Sequence, residues 1–150
     1  MELAEFLIKA KKNTYASSGE GGERKLENGG RELIYKEGGY KYVDTYFGFD
    51  PFIGQEVVSK DGKVIWVMDY WGLIRDNAVD PKEVYKFLKK ALMQPDLIVP
   101  LRGPDYFEEG DFTYHLSGGG AIDLYFQKVE SIGYKGKRVY EGQCFGGVPK

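Results

Sequence analysis

The sequence predicts an α+β protein, a curved antiparallel sheet of about eight strands with two helices packed on one face. It is read as an internal duplication, (αββββ)x2. Three observations carry this. Tyr35–Gly72 aligns with Phe107–Gly146 at an offset of 72, rising to 74 at one loop. In that alignment Tyr35-Lys-Glu-Gly-Gly-Tyr-Lys-Tyr42 falls on Phe107-Glu-Glu-Gly-Asp-Phe-Thr-Tyr114, and Trp66 and Trp71 fall on Tyr140 and Phe145. A segment that recurs along a chain reads as one supersecondary unit used twice. Each copy holds a run of strand-like segments separated by glycine-containing turns. Each is preceded by an amphipathic stripe, and Phe-Leu-Lys-Lys-Ala (87–91) echoes Phe-Leu-Ile-Lys-Ala (6–10). The expected organisation is a single domain over 1–150, built from repeats of about 1–76 and 77–150.

Residues 2–15 are the first predicted helix, because Leu3, Phe6, Leu7 and Ala10 share one helical face. Ala16–Gly30 is rich in Gly, Ser and charge and reads as a mobile loop. Strands are expected near 31–36, 40–47, 52–60 and 63–71, with turns at Gly38-Gly39, Gly48–Pro51 and Asp61-Gly62. The last is the strongest hairpin signal in the chain. The second helix has Asp80 as N-cap, Pro81 at the first helical position and Glu83 completing a capping box. Its stripe is Val84, Phe87, Leu88, Ala91 and Leu92, and Pro95 ends it. Four more strands are expected near 105–108, 111–117, 122–131 and 137–145.

Composition narrows the function classes. A net charge of −2 argues against a general nucleic-acid binder, which needs a basic face. The one cysteine, Cys144, permits no intramolecular disulfide and no cysteine-based metal cluster, and the one histidine, His115, permits no all-histidine zinc site. No metal or cofactor is therefore expected. No apolar run approaches the ~20 residues of a membrane helix. The acidic, amphipathic N-terminus does not read as a signal peptide, so a cytoplasmic protein is expected. The glycine clusters at 19–22 and 118–120 lack the phosphate-binding spacing and read as loop and turn.

A register fixed at Lys60 opposite Lys63 places Val57 opposite Trp66, Gln55 opposite Met68 and Ile53 opposite Tyr70. That face, with Tyr125, Gln127, Val129, Tyr140 and Cys144 of the second half, is expected to meet the helices. Gln55 and Gln127 are then buried amides that need structural partners. Phe52, Glu56, Val58, Ile65, Val67, Asp69 and Trp71 are expected on the opposite, wet face, with Lys128 opposing Glu141 in the second half. An aromatic cluster on a wet sheet face suggests a ligand, partner or homodimer surface. It also suits a face covered by the Gly-rich loop or by Asp96–Gly103. The candidate binding residues are Tyr46, Phe52, Glu56, Asp69 and Trp71. Asp44, Asp50, Glu56 and Asp69 lie among aromatic residues and are the candidate acid–base groups. None is assigned a catalytic role, and His115 and Cys144 read as structural.

Tyr-Val-Asp-Thr-Tyr-Phe-Gly-Phe-Asp-Pro-Phe-Ile-Gly-Gln-Glu-Val-Val (42–58) and Asp-Gly-Lys-Val-Ile-Trp-Val-Met-Asp-Tyr-Trp-Gly (61–72) resemble domain-of-unknown-function family 5680. Phe-Leu-Ile-Lys-Ala-Lys-Lys-Asn-Thr-Tyr-Ala (6–16), Glu-Val-Tyr-Lys-Phe-Leu (83–88) and Arg-Gly-Pro (102–104) support the resemblance. It implies small prokaryotic proteins, some carrying the domain behind a helix-turn-helix segment, and hence a sensory or partner-binding role. No such segment is present in this sequence, so direct nucleic-acid binding is not expected. The resemblance implies no catalytic residues, and members often have Asn in place of Asp69. The expected function is a binding module for a small molecule or protein. A small hydrolase or isomerase with a carboxylate base and a structural homodimer stand as alternatives.

Overall fold

A computed structural model of the chain describes residues 1–15 and 23–150. The glycine cluster at 19–22 and the first part of the expected mobile loop lie outside these residues.

Helix α1 spans Leu3–Tyr15 and buries Phe6, Leu7 and Ala10, as its periodicity predicts. Helix α2 spans Pro81–Leu92 and buries all five residues of its expected stripe. Its cap is Asp80, whose Oδ1 accepts from the Lys82 N–H at 2.9 Å. That bond satisfies one of the donors a helix start leaves open.

The strands are β1 (Glu23–Lys25), β2 (Arg31–Glu37), β3 (Tyr40–Phe47), β4 (Phe52–Lys60), β5 (Lys63–Ile74), β6 (Tyr106–Glu109), β7 (Phe112–Gly120), β8 (Tyr125–Tyr134) and β9 (Lys137–Gly147). They form one open antiparallel sheet in the order β1-β2-β3-β4-β5-β9-β8-β7-β6. Strand β1 lies in the segment read as loop. It pairs with β2 through Arg24↔Glu32, and the Leu26 N–H donates to the Gly30 carbonyl at 2.8 Å to close the turn.

The expected faces need correction, and the cause is one residue. Lys60 opposes Lys63 as expected, but a bulge follows: Ser59 opposes Val64, while Val58 opposes Trp66. Ile65 is the extra residue. Beyond a bulge the two strands change relative parity, so each β4 side chain changes face relative to β5. Trp66 therefore opposes Val58 rather than Val57, Met68 opposes Glu56 rather than Gln55, and Tyr70 opposes Gly54 rather than Ile53. Glu56 and Val58 are fully buried, and Ile53 and Gln55 are exposed.

The same happens in β8 and β9, where the register shifts between Ile132 and Gly133 and leaves Val139 as the extra residue. Phe126, Glu130 and Ile132 are buried, whereas Tyr125, Gln127 and Val129, expected in the core, are exposed. Lys128 opposes Cys144, and Glu141 opposes Ser131, not Lys128.

The core forms two clusters. Phe6, Leu7 and Ala10 of α1 pack with Tyr42, Val58, Trp66, Met68, Tyr70, Phe126 and Cys144. The α2 stripe packs with Tyr114, Leu116, Ile132, Val139 and Tyr140. Leu101 belongs to the first cluster, so the 96–103 segment inserts into the buried side and does not cover the open one. Trp66 stacks on Phe126 at 5.9 Å and Phe52 on Tyr140 at 6.3 Å, joining the two halves.

Candidate functional site

Among the described residues the polar and charged side chains buried in this core include Lys11, Thr14, Asp44, Glu56, Arg102 and Glu130. A buried charge is costly unless it is paired and hydrogen-bonded, and two carboxylates are each paired with a buried cation. Lys11 Nζ lies 2.6 Å from Glu56 Oε1. Arg102 grips Glu130 at both oxygens, with Nε at 3.1 Å and Nη2 at 3.0 Å. Tyr114 and Tyr140 each donate a hydroxyl to Glu130 at 2.6 Å. Burial alone would raise the Glu130 carboxyl, but Arg102 and the two hydroxyls hold it below the ordinary range. Burial and the Glu130 charge push both tyrosines well above their usual value.

Asp44 differs. It is 1 % exposed on β3, and its Oδ1 accepts the Tyr70 hydroxyl at 2.6 Å. Burial first, and then the nearby Glu56 carboxylate, raise its pKa to about 7. Tyr70, Lys11 and Arg102 pull the other way without prevailing.

Asp44 lines a cleft of about 370 Å³, within the range of small-molecule sites. Thr14 at the end of α1 borders one side, and Tyr85, Leu88, Lys89 and Leu92 of α2 border the other. Tyr46, Phe52 and Tyr70 from the sheet and Phe49 from the β3–β4 connection supply most of the aromatic wall. The Arg102 guanidinium lies over the Tyr70 ring at 5.0 Å and over Phe52 at 5.7 Å. At the rim, the Tyr46 hydroxyl donates to Glu23 Oε1 at 2.6 Å. Burial and this bond raise the Tyr46 hydroxyl above its usual value. The Tyr85 ring meets Phe49 and Phe52 edge-on, and its hydroxyl donates to Asp50 Oδ1 at 3.0 Å.

Glycines create the room for this arrangement. A methyl group on Gly54 would overlap the Tyr70 hydroxyl that reaches Asp44. A methyl group on Gly72 would overlap the Tyr140 hydroxyl that reaches Glu130. Glycine inside a strand here marks the close crossing of an aromatic side chain.

The five expected site residues do not form one surface. Tyr46 and Phe52 line the cleft. Glu56 is fully buried and paired with Lys11. Asp69 lies on the other face, where the Gln55 amide donates to it at 2.8 Å. Trp71 opposes Ile53 and Gln143 and is half-buried on that face. Of the four candidate acid–base groups, Glu56 and Asp69 are therefore on opposite sides of the sheet. His115 is exposed against Tyr106, and Cys144 is buried, its thiol pushed up to about 12 by burial. Sequence reasoning did not single out Arg102, Tyr70 or Tyr85. Nothing in their local spacing marks them, since the residues that complete the cleft come from separate elements.

Among the described residues no helix is long and apolar enough to cross a membrane, and no group of three or more His, Cys, Asp or Glu is placed to hold a metal ion. Comparison with protein families matches residues 44–148 to a family described as Domain of unknown function (DUF5680). No curated protein and no solved structure matches the chain.

Proposed function

The chain belongs to the DUF5680 family, and from the cleft it carries we propose that it is a small-molecule-binding module. The observation that carries this reading is the aromatic-walled cleft of about 370 Å³ with the buried Asp44 carboxyl on its lining. Apolar walls with a few convergent polar groups and a perturbed titratable residue are the usual marks of a ligand site. The contacts are drawn from Tyr46, Phe52, Tyr70, Tyr85 and Asp44, in place of the wet-face set containing Asp69 and Trp71.

The frame we infer beneath the cleft is a duplicated unit with both helices on one face. Tyr70 and Cys144 are register partners that pack with α1, and Tyr140, four residues before Cys144 in β9, packs with α2. That alternation supports a shared face. From the central β5–β9 pair the strands run outward as β4, β3, β2 on one side and β8, β7, β6 on the other. Tyr42 opposes Val58, which opposes Trp66; Tyr114 opposes Ile132, which opposes Tyr140. These registers support a duplication in which Glu56 corresponds to Glu130 and Phe52 to Phe126. The two extra residues of the second copy then fall before β8, and not after Ser131.

A thermal-shift screen against a metabolite panel tests the function. A compound at a hundred times its Kd raises the midpoint by about 5–10 °C. Leu88→Trp, which places a bulky ring in the cleft, should abolish the shift while the circular dichroism spectrum stays native. A panel that produces no shift, or shifts that survive Leu88→Trp, would remove the reading. Asp44 also titrates where a general base works, which favours a small enzyme as the second reading. Turnover of a compound found in the screen, lost in Asp44→Asn, would select it.

A further inference from the structure

Among the described residues the ionisable groups buried beside the cleft are unequal in number, and their charges balance only while Asp44 keeps its proton. Among the described residues the core holds two cations, Lys11 and Arg102, and three carboxyl groups, Asp44, Glu56 and Glu130. Lys11 is committed to Glu56, and Arg102 to both oxygens of Glu130. The carboxyl left over is Asp44, the one of the three that lines the cleft. Around it stand rings whose faces attract positive charge.

We propose that the cleft takes a monovalent organic cation with an apolar or aromatic body, the Asp44 carboxylate meeting its charge. This rests on the small-molecule reading and names the ligand class for the same site. A cation seated there completes a third buried ion pair and excludes water from it, while Tyr46, Phe49 and Tyr85 enclose its body. A neutral ligand of the same shape brings no charge to meet the carboxylate. An anion would set a further negative group beside it.

The cation also controls a proton. Asp44 is held near pH 7 without it, so binding of positive charge drives the carboxyl to release its proton. Among the described residues, charged and titratable groups act on Asp44 or line the cleft beside it from several elements. Lys11 and Thr14 belong to α1, Glu23 to β1 and Tyr46 to its own strand; Glu56 and Tyr70 lie on β4 and β5. Arg102 comes from the connection after α2, and Lys89 from α2 itself.

Phenyltrimethylammonium and its uncharged isostere tert-butylbenzene test the proposal, because the charge of the first is fixed at every pH. Expected at pH 8 is a Kd at least about tenfold lower for the cation. Its affinity should fall about tenfold from pH 8 to pH 6, while that of tert-butylbenzene stays level. Asp44→Asn should bring the two affinities together and flatten the profile. Calorimetry of the unaltered protein in two buffers of different ionisation enthalpy is independent of that variant's folding. It should show about half a proton released per cation bound at pH 7. Equal affinity for the two compounds, a pH dependence that persists in Asp44→Asn, or no proton release overturns the charge assignment. In each case binding that Leu88→Trp blocks leaves the cleft reading standing. If neither compound binds the charge assignment also fails, and the metabolite screen then decides the cleft reading separately.

Discussion

Lys11 and Glu56 are 2 % and 0 % exposed and 2.6 Å apart. Removing one partner of such a pair strands a charge, which typically costs about 3–5 kcal/mol, whereas replacing both is far milder. Lys11→Met should therefore lower stability in urea denaturation by about that amount, and Lys11→Met/Glu56→Gln should recover most of the loss. A double variant as unstable as the single one would show that the pair is not what the lysine supplies. Asp44 makes a separate contribution that depends on pH. In the fold it keeps its proton up to about pH 7, against an ordinary value of 3.8. Between those values the folded state binds more protons than the unfolded chain. Stability is thus full below about pH 4 and is lost as pH rises to 7. Glu130 is shifted downward from 4.5, so its stabilisation is lost in the other direction, on acidification. The difference between the unaltered protein and Asp44→Asn isolates the first effect. From pH 4 to pH 8 it should move in favour of the Asn variant by on the order of a few kcal/mol; parallel curves would contradict the assignment.

At the scale of the strand, the glycine gaps and the bulges decide where the site lies. Gly54→Ala should push Tyr70 off Asp44 and cost about 1–3 kcal/mol as overpacking. It should also weaken any cleft ligand. Gly62→Ala, at a hairpin glycine with φ +84° and open space around it, should cost about 1–2 kcal/mol through backbone strain and leave ligand affinity unchanged. Denaturation and titration of the two variants separate the effects. Much of the element plan was legible in the sequence. Asp61-Gly62, Gly38-Gly39 and Asp80-Pro81 are local signals, and local signals place hairpins and caps. The bulges were not legible. Val64-Ile65-Trp66-Val67 is a continuous apolar run, so alternation cannot reveal which residue is extra. One unplaced residue in β5 was enough to send Phe52 and Glu56 to the wrong side of the sheet. Strand β1, with the sequence Glu-Arg-Lys, carries no strand pattern of its own; it is held by pairing with β2 and by the Tyr46 hydroxyl on Glu23. Arg102 lies 28 residues from Glu130 in sequence, a distance over which no motif links them.

At the scale of the whole molecule, the halves share their interior. Trp66 rests on Phe126, Phe52 on Tyr140, and Arg102 reaches from the second half over Tyr70 and Phe52. A fragment of residues 1–77 loses all of these, together with the β9 partner of β5. It should show no cooperative thermal transition, and a sharp transition in that fragment would show that the halves fold separately. The strand order has one more effect. Because β5 and β9 meet at the centre, the longest ladders are internal, and the sheet ends in β1 and β6, of three and four residues. Glu23, Arg24 and Lys25 charge one margin, Glu108 and Glu109 the other. Short charged margins are poor templates for a foreign strand. Growth of this sheet into fibrils by lateral addition is therefore disfavoured from both directions.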